Sequence, residues 1–135
     1  KKHHFSFYSG ARLFKPNLSE FFTGIDDETD LEKAGDSFRS QHGFDLLMVT
    51  QGEKGMSLFS KDKFYQIATK ARAAHDVSGA GDTVIATFAL SDVCGCHPND
   101  SAWLANLAAG RVCEEVGVVP IDTNSLMEIV NHHHD

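Results

Sequence analysis

The chain has 135 residues, 41% of them hydrophobic and 23% charged, with a formal net charge of −7 at pH 7. This length and composition exclude a disordered chain and are typical of a single compact domain with a core of its own. The acidic balance provides no broad basic surface, so we expect neither nucleic acid nor a membrane as the main partner, and any anionic ligand has to be held locally.

The first predicted elements are a short strand at residues 11–14 and a short helix after Pro16, which cannot continue a strand ladder. Asn17 and Glu20 fit two interpretations at this point. They form a capping box if Asn17 caps the helix and Glu20 answers it three residues later. At the end of a strand in an open parallel sheet, the same amide and carboxylate oxygens would suit Mg²⁺.

A helix is predicted over residues 29–42, and Gly43 suits the position just after its end. The nearly continuous apolar run at residues 44–50 predicts a strand that is buried on both faces of a parallel sheet. Strand, helix and strand in this order predict a right-handed crossover. The pattern therefore indicates an α/β fold.

The segment Thr50-Gln51-Gly52-Glu53-Lys54-Gly55 follows the buried strand and precedes a predicted hairpin with arms at residues 56–59 and 64–68. Glycines of this kind are needed in a plain hairpin connection. They also suit a backbone loop against which the phosphates or the ribose of a nucleotide lie. The pattern leaves both interpretations open.

The segment Asp76-Val77-Ser78-Gly79-Ala80-Gly81-Asp82-Thr83 precedes an apolar run, which predicts a buried helix over residues 80–93. A helix start leaves amides unpaired and carries a partial positive charge. Both glycines of the segment can take positive φ and admit a ligand close to the backbone, so residues 79–82 predict a phosphate site. Asp82 is then either an N-cap or a general base that takes a proton from a hydroxyl group.

A further helix is predicted from Asn99 or Asp100 to about Val116, and a closing helix from Thr123. Asn106 falls between apolar neighbours, where an amide needs a partner such as an adjacent loop. The odd number of cysteines and their place in or beside helical patterns indicate reduced thiols and a cytoplasmic protein. The terminal run His132-His133-His134 is excluded from the functional interpretation.

Four of these motifs resemble those of the ribokinase-like (PfkB) carbohydrate kinases, and they occur in the family's order. They are Asn-x-x-Glu at residues 17–20, Thr-x-Gly-x-x-Gly at 50–55, Asp-x-x-Gly-Ala-Gly-Asp at 76–82 and Ala-Asn-x-Ala-Ala at 105–109. The residues of these motifs are most similar to those of the heptose 7-phosphate kinase branch. The resemblance implies the C-terminal part of a three-layer α/β fold, with a mostly parallel sheet flanked by helices and one β-hairpin.

The same resemblance implies ATP-dependent phosphorylation of a sugar or sugar-phosphate hydroxyl group, with ATP and Mg²⁺ as cofactors. The implied catalytic residues are the base Asp82 and the anion-hole residues Gly79, Ala80 and Gly81. The implied nucleotide-binding residues are Thr50, Gly52, Gly55, Asn106 and Gly110, and the implied magnesium ligands are Asn17 and Glu20. Residues 118–121 and the closing helix from Thr123 resemble the family's C-terminal end, where backbone near the loop helps enclose the base, and a homodimer is left open.

Complete ribokinase-like enzymes are longer, and their sugar-binding glycines and lid precede the part that matches here. The resemblance therefore implies that residues 1–135 are the nucleotide-binding and catalytic portion, and that the sugar-binding part and the lid are absent. Two other interpretations stay open. The chain could derive from another PfkB-type sugar or nucleoside kinase, or it could be a nucleotide-binding module without catalysis.

Overall fold

The computed structural model describes residues 4–25, 30–69 and 77–132, which belong to two compact units, Lys1–Gln66 and Ile67–Asp135. Asp76, the first residue of the glycine motif, lies outside the described residues, as do His133 and His134. The first unit contains the sheet with its helices, and the second is built from helices.

The first unit contains the strand, helices, strand and hairpin that the sequence pattern predicts, together with two 3-10 helices that it did not predict. They are a 3-10 helix (Phe5–Tyr8), β1 (Leu13–Phe14), α1 (Leu18–Phe22), α2 (Leu31–His42), β2 (Leu46–Thr50), a 3-10 helix (Gly52–Lys54), β3 (Met56–Phe59) and β4 (Phe64–Ile67). The start of α2 is set by Asp30, whose Oδ1 accepts the amides of Glu32 and Lys33 at 3.1 and 3.4 Å. Its end is set by Gly43, which takes the left-handed conformation at φ +66°.

The four strands form one mixed sheet in the order β1-β2-β3-β4. β1 and β2 are parallel, with Leu13 opposite Leu46, which is the pair that the strand–helix–strand pattern predicts. β2 and β3 are antiparallel, with Thr50 opposite Met56. β3 and β4 form the predicted hairpin, and its turn is closed by the amide of Ser60, which donates to the carbonyl of Lys63 at 2.9 Å.

Aromatic side chains fill the core of the first unit. Phe38 of α2 is central, because its ring lies 5.3 Å from that of Phe5 and 5.4 Å from that of Phe21, both in edge-on geometry. The buried cluster consists of Phe5, Phe14, Phe21, Phe38, Phe44, Leu47, Val49 and Phe59. It packs α2 against the sheet and so holds the carboxyl ends of β1 and β2 in place.

The second unit consists of three helices, α3 (Ala80–Val93), α4 (Pro98–Cys113) and α5 (Thr123–His132). α3 and α4 pack against each other, and the buried hydroxyl of Ser101 donates to that of Ser91 at 3.0 Å between them. α4 begins one or two residues earlier than predicted, because Pro98 occupies its first position and His97 is its N-cap. It ends at Cys113, three residues before the predicted Val116.

The prediction that α3 is buried all round is wrong. Its buried residues form one stripe, Val84, Thr87, Phe88 and Ser91, whereas Leu90 and Val93 are 61% and 82% exposed. An apolar sequence without periodicity does not indicate which side of a helix a neighbour covers. Within the described ranges, this apolar helix still does not qualify as a membrane span, and neither does any other.

Candidate active site

Two of the predicted motifs meet at the carboxyl ends of the parallel strands. Asn17, just after β1, and Thr50, the last residue of β2, form a parallel bridge. The amide of Thr50 donates to the carbonyl of Pro16 at 3.1 Å. Because ligands bind outside the carboxyl ends of strands in open α/β sheets, this edge is where a binding site is expected.

Asn17 and Glu20 form the predicted capping box at the start of α1. Oδ1 of Asn17 accepts the amide of Glu20 at 2.8 Å, and Oε2 of Glu20 accepts the amide of Asn17 at 3.0 Å. A carboxylate has two oxygens and about four lone-pair sites, so the cap leaves capacity for a further ligand. The two interpretations of this motif are therefore compatible, and the oxygen donors fit Mg²⁺.

The protein side of such a magnesium site is sparse. Within the part of the chain that the structure describes, no group of three or more His, Cys, Asp or Glu side chains is arranged to hold a metal ion. Mg²⁺ usually keeps several waters and shares substrate phosphates, so one carboxylate and one amide oxygen are a sufficient protein contribution.

The Thr50–Gly55 loop is a closed backbone turn. The amide of Gln51 donates to the carbonyl of Gly55 at 2.8 Å, and the amide of Gly55 donates to the carbonyl of Gly52 at 3.0 Å. Gly55 has φ +89° and ψ −130°, a conformation that is strongly unfavourable for any residue other than glycine. The glycines that the sequence pattern singles out are therefore required by the backbone itself.

The start of α3 has the geometry of an anion site. Gly79 is the N-cap with φ +80°, and the amide of Ala80 donates to the carbonyl of Val77 at 3.2 Å. Thr83 is the first residue whose amide bonds back to Gly79, at 2.9 Å. The amide of Ala80, which was predicted to line the anion hole, is thus already used within the turn. The amides of residues 81 and 82 are the ones that a helix start leaves for a ligand.

Two expectations for this segment need correction. Gly81 does not take positive φ, since it lies in the first turn of α3, so only its small size favours close approach of a ligand. Asp82 is not the N-cap, because Gly79 holds that position and Asp82 is the third residue of the helix. Its exposed carboxylate is favoured there by the positive end of the helix, beside the amides just described.

On α4, Asn106 is 6% exposed and its Nδ2 donates to the carbonyl of Ala68 at 2.9 Å. The predicted hydrogen bond to an adjacent loop is thus present, and it accounts for an amide among apolar neighbours. Gly110 lies one helical turn further along and shares this face. A role for either residue on the nucleotide side stays a prediction.

Val118, at the start of the segment at residues 118–121, lies close to Gly79. A Cβ atom at Gly79 would lie 3.3 Å from Cγ1 of Val118, which is tighter than ordinary van der Waals contact. Val118 itself is exposed to solvent over most of its surface. Close approach and positive φ both favour glycine at position 79.

A polar contact chain was missed by sequence reasoning. Ser57, in the middle of β3, is hydrogen-bonded to Gln51 of the Thr50–Gly55 loop and to Gln66 of β4. The available signal was a serine between Met56 and Leu58 in an otherwise apolar strand, where a buried hydroxyl requires partners.

Comparison with solved structures identifies the fold of the chain. The structure of Escherichia coli phosphofructokinase-2 in complex with substrates and products superposes with a TM-score of 0.85 at 16% identity, over 97% of this chain and 44% of that one. The structure of Arabidopsis thaliana ribokinase complexed with ribose and ATP gives 0.78 at 28% identity, over 87% and 40%. The fold is therefore the predicted ribokinase-like α/β fold.

The family follows from the sequence comparison. A model of the pfkB family of carbohydrate kinases matches residues 4–124, so the chain belongs to this family, as predicted. It is 42% identical over 125 residues to the bifunctional protein HldE of Mesorhizobium japonicum and 40% identical over 134 residues to that of a Marinomonas strain. These matches cover 88% and 96% of the chain but only 25% and 28% of the relatives' own length.

Proposed function

We propose that this chain is the nucleotide-binding and catalytic portion of a kinase that transfers the γ-phosphoryl group of ATP to a hydroxyl group of a sugar or sugar phosphate. The observation that carries the proposal is the start of α3, where the Gly79 N-cap, two amides and the carboxylate of Asp82 lie within one helical turn. Membership of the pfkB family and similarity to bifunctional HldE proteins support it. A heptose 7-phosphate is the first acceptor to test.

In this mechanism, Asp82 accepts the proton of the acceptor hydroxyl group while the oxygen of that hydroxyl group forms a bond to the γ-phosphorus. The bond from that phosphorus to the bridging oxygen breaks, and ADP leaves with the electron pair. The amides of residues 81 and 82 and the positive end of α3 stabilise negative charge on the transferring group. A positioned base contributes about 10²–10⁴-fold to such a reaction.

The other site residues bind rather than react. Thr50, Gly52 and Gly55 would lie against the nucleotide, with Asn106 and Gly110 on the nucleotide side as well. Asn17 and Glu20 would hold Mg²⁺ through their oxygens. When bound, this ion offsets the negative charge of the phosphates. Cys94, Cys96 and Cys113, which all lie in the described ranges, form no disulfide there, and this is compatible with the proposed cytoplasmic location.

Nucleotide binding is the first property to measure, by thermal shift of the chain with Mg·ATP and Mg·ADP against Mg·GTP and Mg²⁺ alone. A ligand at a hundred times its Kd stabilises a protein by about 2.7 kcal/mol, which is readily detected in a small protein. We expect a magnesium-dependent shift with adenine nucleotides. Absence of any shift would contradict the assignment of a nucleotide site to this chain.

The base is tested with Asp82→Asn, and Asp62→Asn in the hairpin turn is the matched control. Turnover is measured with a longer chain that includes the sugar-binding part, and there we expect Asp82→Asn to lower phosphotransfer to heptose 7-phosphate by about 10²–10⁴-fold while the nucleotide shift persists. The control should retain both properties. Equal loss of binding and turnover would contradict the base assignment, and binding without transfer to heptose, hexose or nucleoside acceptors would favour a nucleotide-binding module.

A further inference from the structure

Ser57 is a buried hydroxyl in a strand whose other residues are apolar. β3 comprises Met56, Ser57, Leu58 and Phe59, all of them buried, and Ser57 has no exposed surface. Burying a hydroxyl group is unfavourable unless it is hydrogen-bonded. The identity of its partners therefore indicates why a serine is tolerated at this position.

Both partners of Ser57 are glutamine side chains on neighbouring segments. Its Oγ accepts a hydrogen bond from Nε2 of Gln51 at 2.5 Å and donates one to Oε1 of Gln66 at 2.7 Å. The single donor of the hydroxyl group is thus used, together with one of its acceptor sites. We call this chain of contacts the Gln51–Ser57–Gln66 relay; it connects the Thr50–Gly55 loop to the middle of β3 and to β4.

The Thr50–Gly55 loop has an exposed backbone and therefore depends on an anchor such as the relay. Gly52, Glu53 and Lys54 are exposed, and Gly52 and Gly55 both have positive φ, so few side-chain contacts restrict the backbone. Gln51 closes the loop through its amide, which donates to the carbonyl of Gly55. The same residue is tied to the buried strand through its side chain, so the relay acts where the loop closes.

We propose that Gln51, Ser57 and Gln66 are positioning residues that hold the Thr50–Gly55 loop in the conformation that receives the nucleotide. The part that concerns nucleotide rests on the proposed function. The part that concerns the loop rests on the hydrogen bonds alone. A loop held in its binding conformation before the ligand arrives avoids the entropic cost of ordering it on binding, so loss of the relay weakens affinity.

A purely structural role for Ser57 makes a different prediction. If the glutamines merely satisfy a buried hydroxyl, Ser57→Ala removes the group that needed them, and neither the loop nor the affinity for nucleotide changes. If the relay positions the loop, Ser57→Ala frees Gln51 and the loop opens more often, even where global stability is preserved. Ser57→Thr keeps the hydroxyl group in a β-branched side chain that suits a strand, and it should restore the loop.

The matched control is Ser60→Ala. Ser60 is also a serine of the β3–β4 hairpin, but its hydroxyl group is hydrogen-bonded to the backbone of Lys63 in the turn. Hydrogen exchange is measured without nucleotide in the 135-residue chain, at the loop amides of Gln51, Lys54 and Gly55, which are hydrogen-bonded within the loop. Urea unfolding of each variant then gives its global stability, and titration gives its Kd for Mg·ADP.

We expect Ser57→Ala to accelerate exchange at these three amides by about tenfold and to raise Kd by a similar factor, with Ser57→Thr and Ser60→Ala close to the unsubstituted chain. Unchanged loop exchange in Ser57→Ala would overturn the proposal, as would equal acceleration throughout β2 and β3. Faster loop exchange in a chain that never binds Mg·ADP would support positioning of the loop and overturn the nucleotide assignment.

Discussion

The two units of this protein are packed in opposite ways. Large aromatic rings of α2, the strands and the flanking segments fill the core of the first unit. In the second unit, α4 buries mainly small residues, which are Ser101, Ala102, Ala105, Ala108 and Ala109. Rings fill the space between a helix and a sheet, whereas small residues let two helix backbones approach closely.

The difference predicts which substitutions each unit tolerates. A core filled by large side chains loses most when a side chain is shortened, because a cavity remains. A helix pair in close contact loses most when a side chain is enlarged, because the helices must separate or the new side chain must take a poor rotamer.

Phe38→Ala should give the largest effect. It removes the ring at the centre of the first core and should lower the free energy of unfolding by about 3–5 kcal/mol. Phe7→Ala is the control, since Phe7 is 80% exposed and its loss should change stability by less than about 0.5 kcal/mol. Urea denaturation followed by circular dichroism measures the free energy of unfolding of both variants. Similar losses in the two would contradict the view that large buried rings stabilise the first unit.

Ala105→Leu tests the second unit in the opposite direction. Ala105 is fully buried and lies one turn from Ser101 on the side of α4 that faces α3. The longer side chain should destabilise the protein by about 1–3 kcal/mol through overpacking. Ala89→Leu, on the exposed side of α3, should be nearly neutral in the same urea titration. A neutral Ala105→Leu would mean that α3 and α4 leave room between them.

A pair of glycines in the second unit separates backbone strain from close contact. Gly79 and Gly95 have nearly equal φ of +80° and +86°, but only Gly79 has a neighbour, Val118, near the position of an added Cβ. Replacement by alanine should cost about 1–2 kcal/mol at either site because of the left-handed backbone. We expect a greater loss at Gly79, by thermal denaturation. Equal losses would show that Val118 moves aside without cost.

The smallest effect is a pH dependence at the start of α5. Oδ1 of Asp122 accepts the amide of Ser125 at 2.7 Å, and the hydrogen bonds from Ser125 lower the pKa of this carboxyl group from its ordinary 3.8. A lowered pKa means that the ionised form stabilises α5 above pH 3.8, and that this contribution is lost as the pH falls through the lower folded-state value.

An NMR titration of the Asp122 carboxyl group and of the α5 amides measures this pH dependence. Asp122→Asn keeps an oxygen acceptor for the Ser125 amide and should abolish the titration of the α5 amides. A pKa at or above 3.8 in the folded chain would contradict the capping role of Asp122.

Local features of the site were predictable because local chemistry carries them. The Asn17–Glu20 capping box needs only two side chains three residues apart, and both of its hydrogen bonds are present. The bounds of α2 follow from Asp30 and Gly43, and α3 runs over the predicted residues 80–93. Glycine at positions 79 and 55 was predictable for a similar reason, since the backbone there takes positive φ.

The sequence by itself therefore determined the order of the predicted helices and strands, the bounds of α3, the four motifs and the family, because each of these depends on residues close together in the chain. Other bounds were shifted: β1 and β2 begin two residues later than predicted, and α4 ends three residues earlier. Tertiary structure alone decided which face of α3 is covered and that Ser57 connects Gln51 to Gln66. Burial and side-chain partnership depend on which segments meet in space. An apolar stretch or a single serine does not encode that choice.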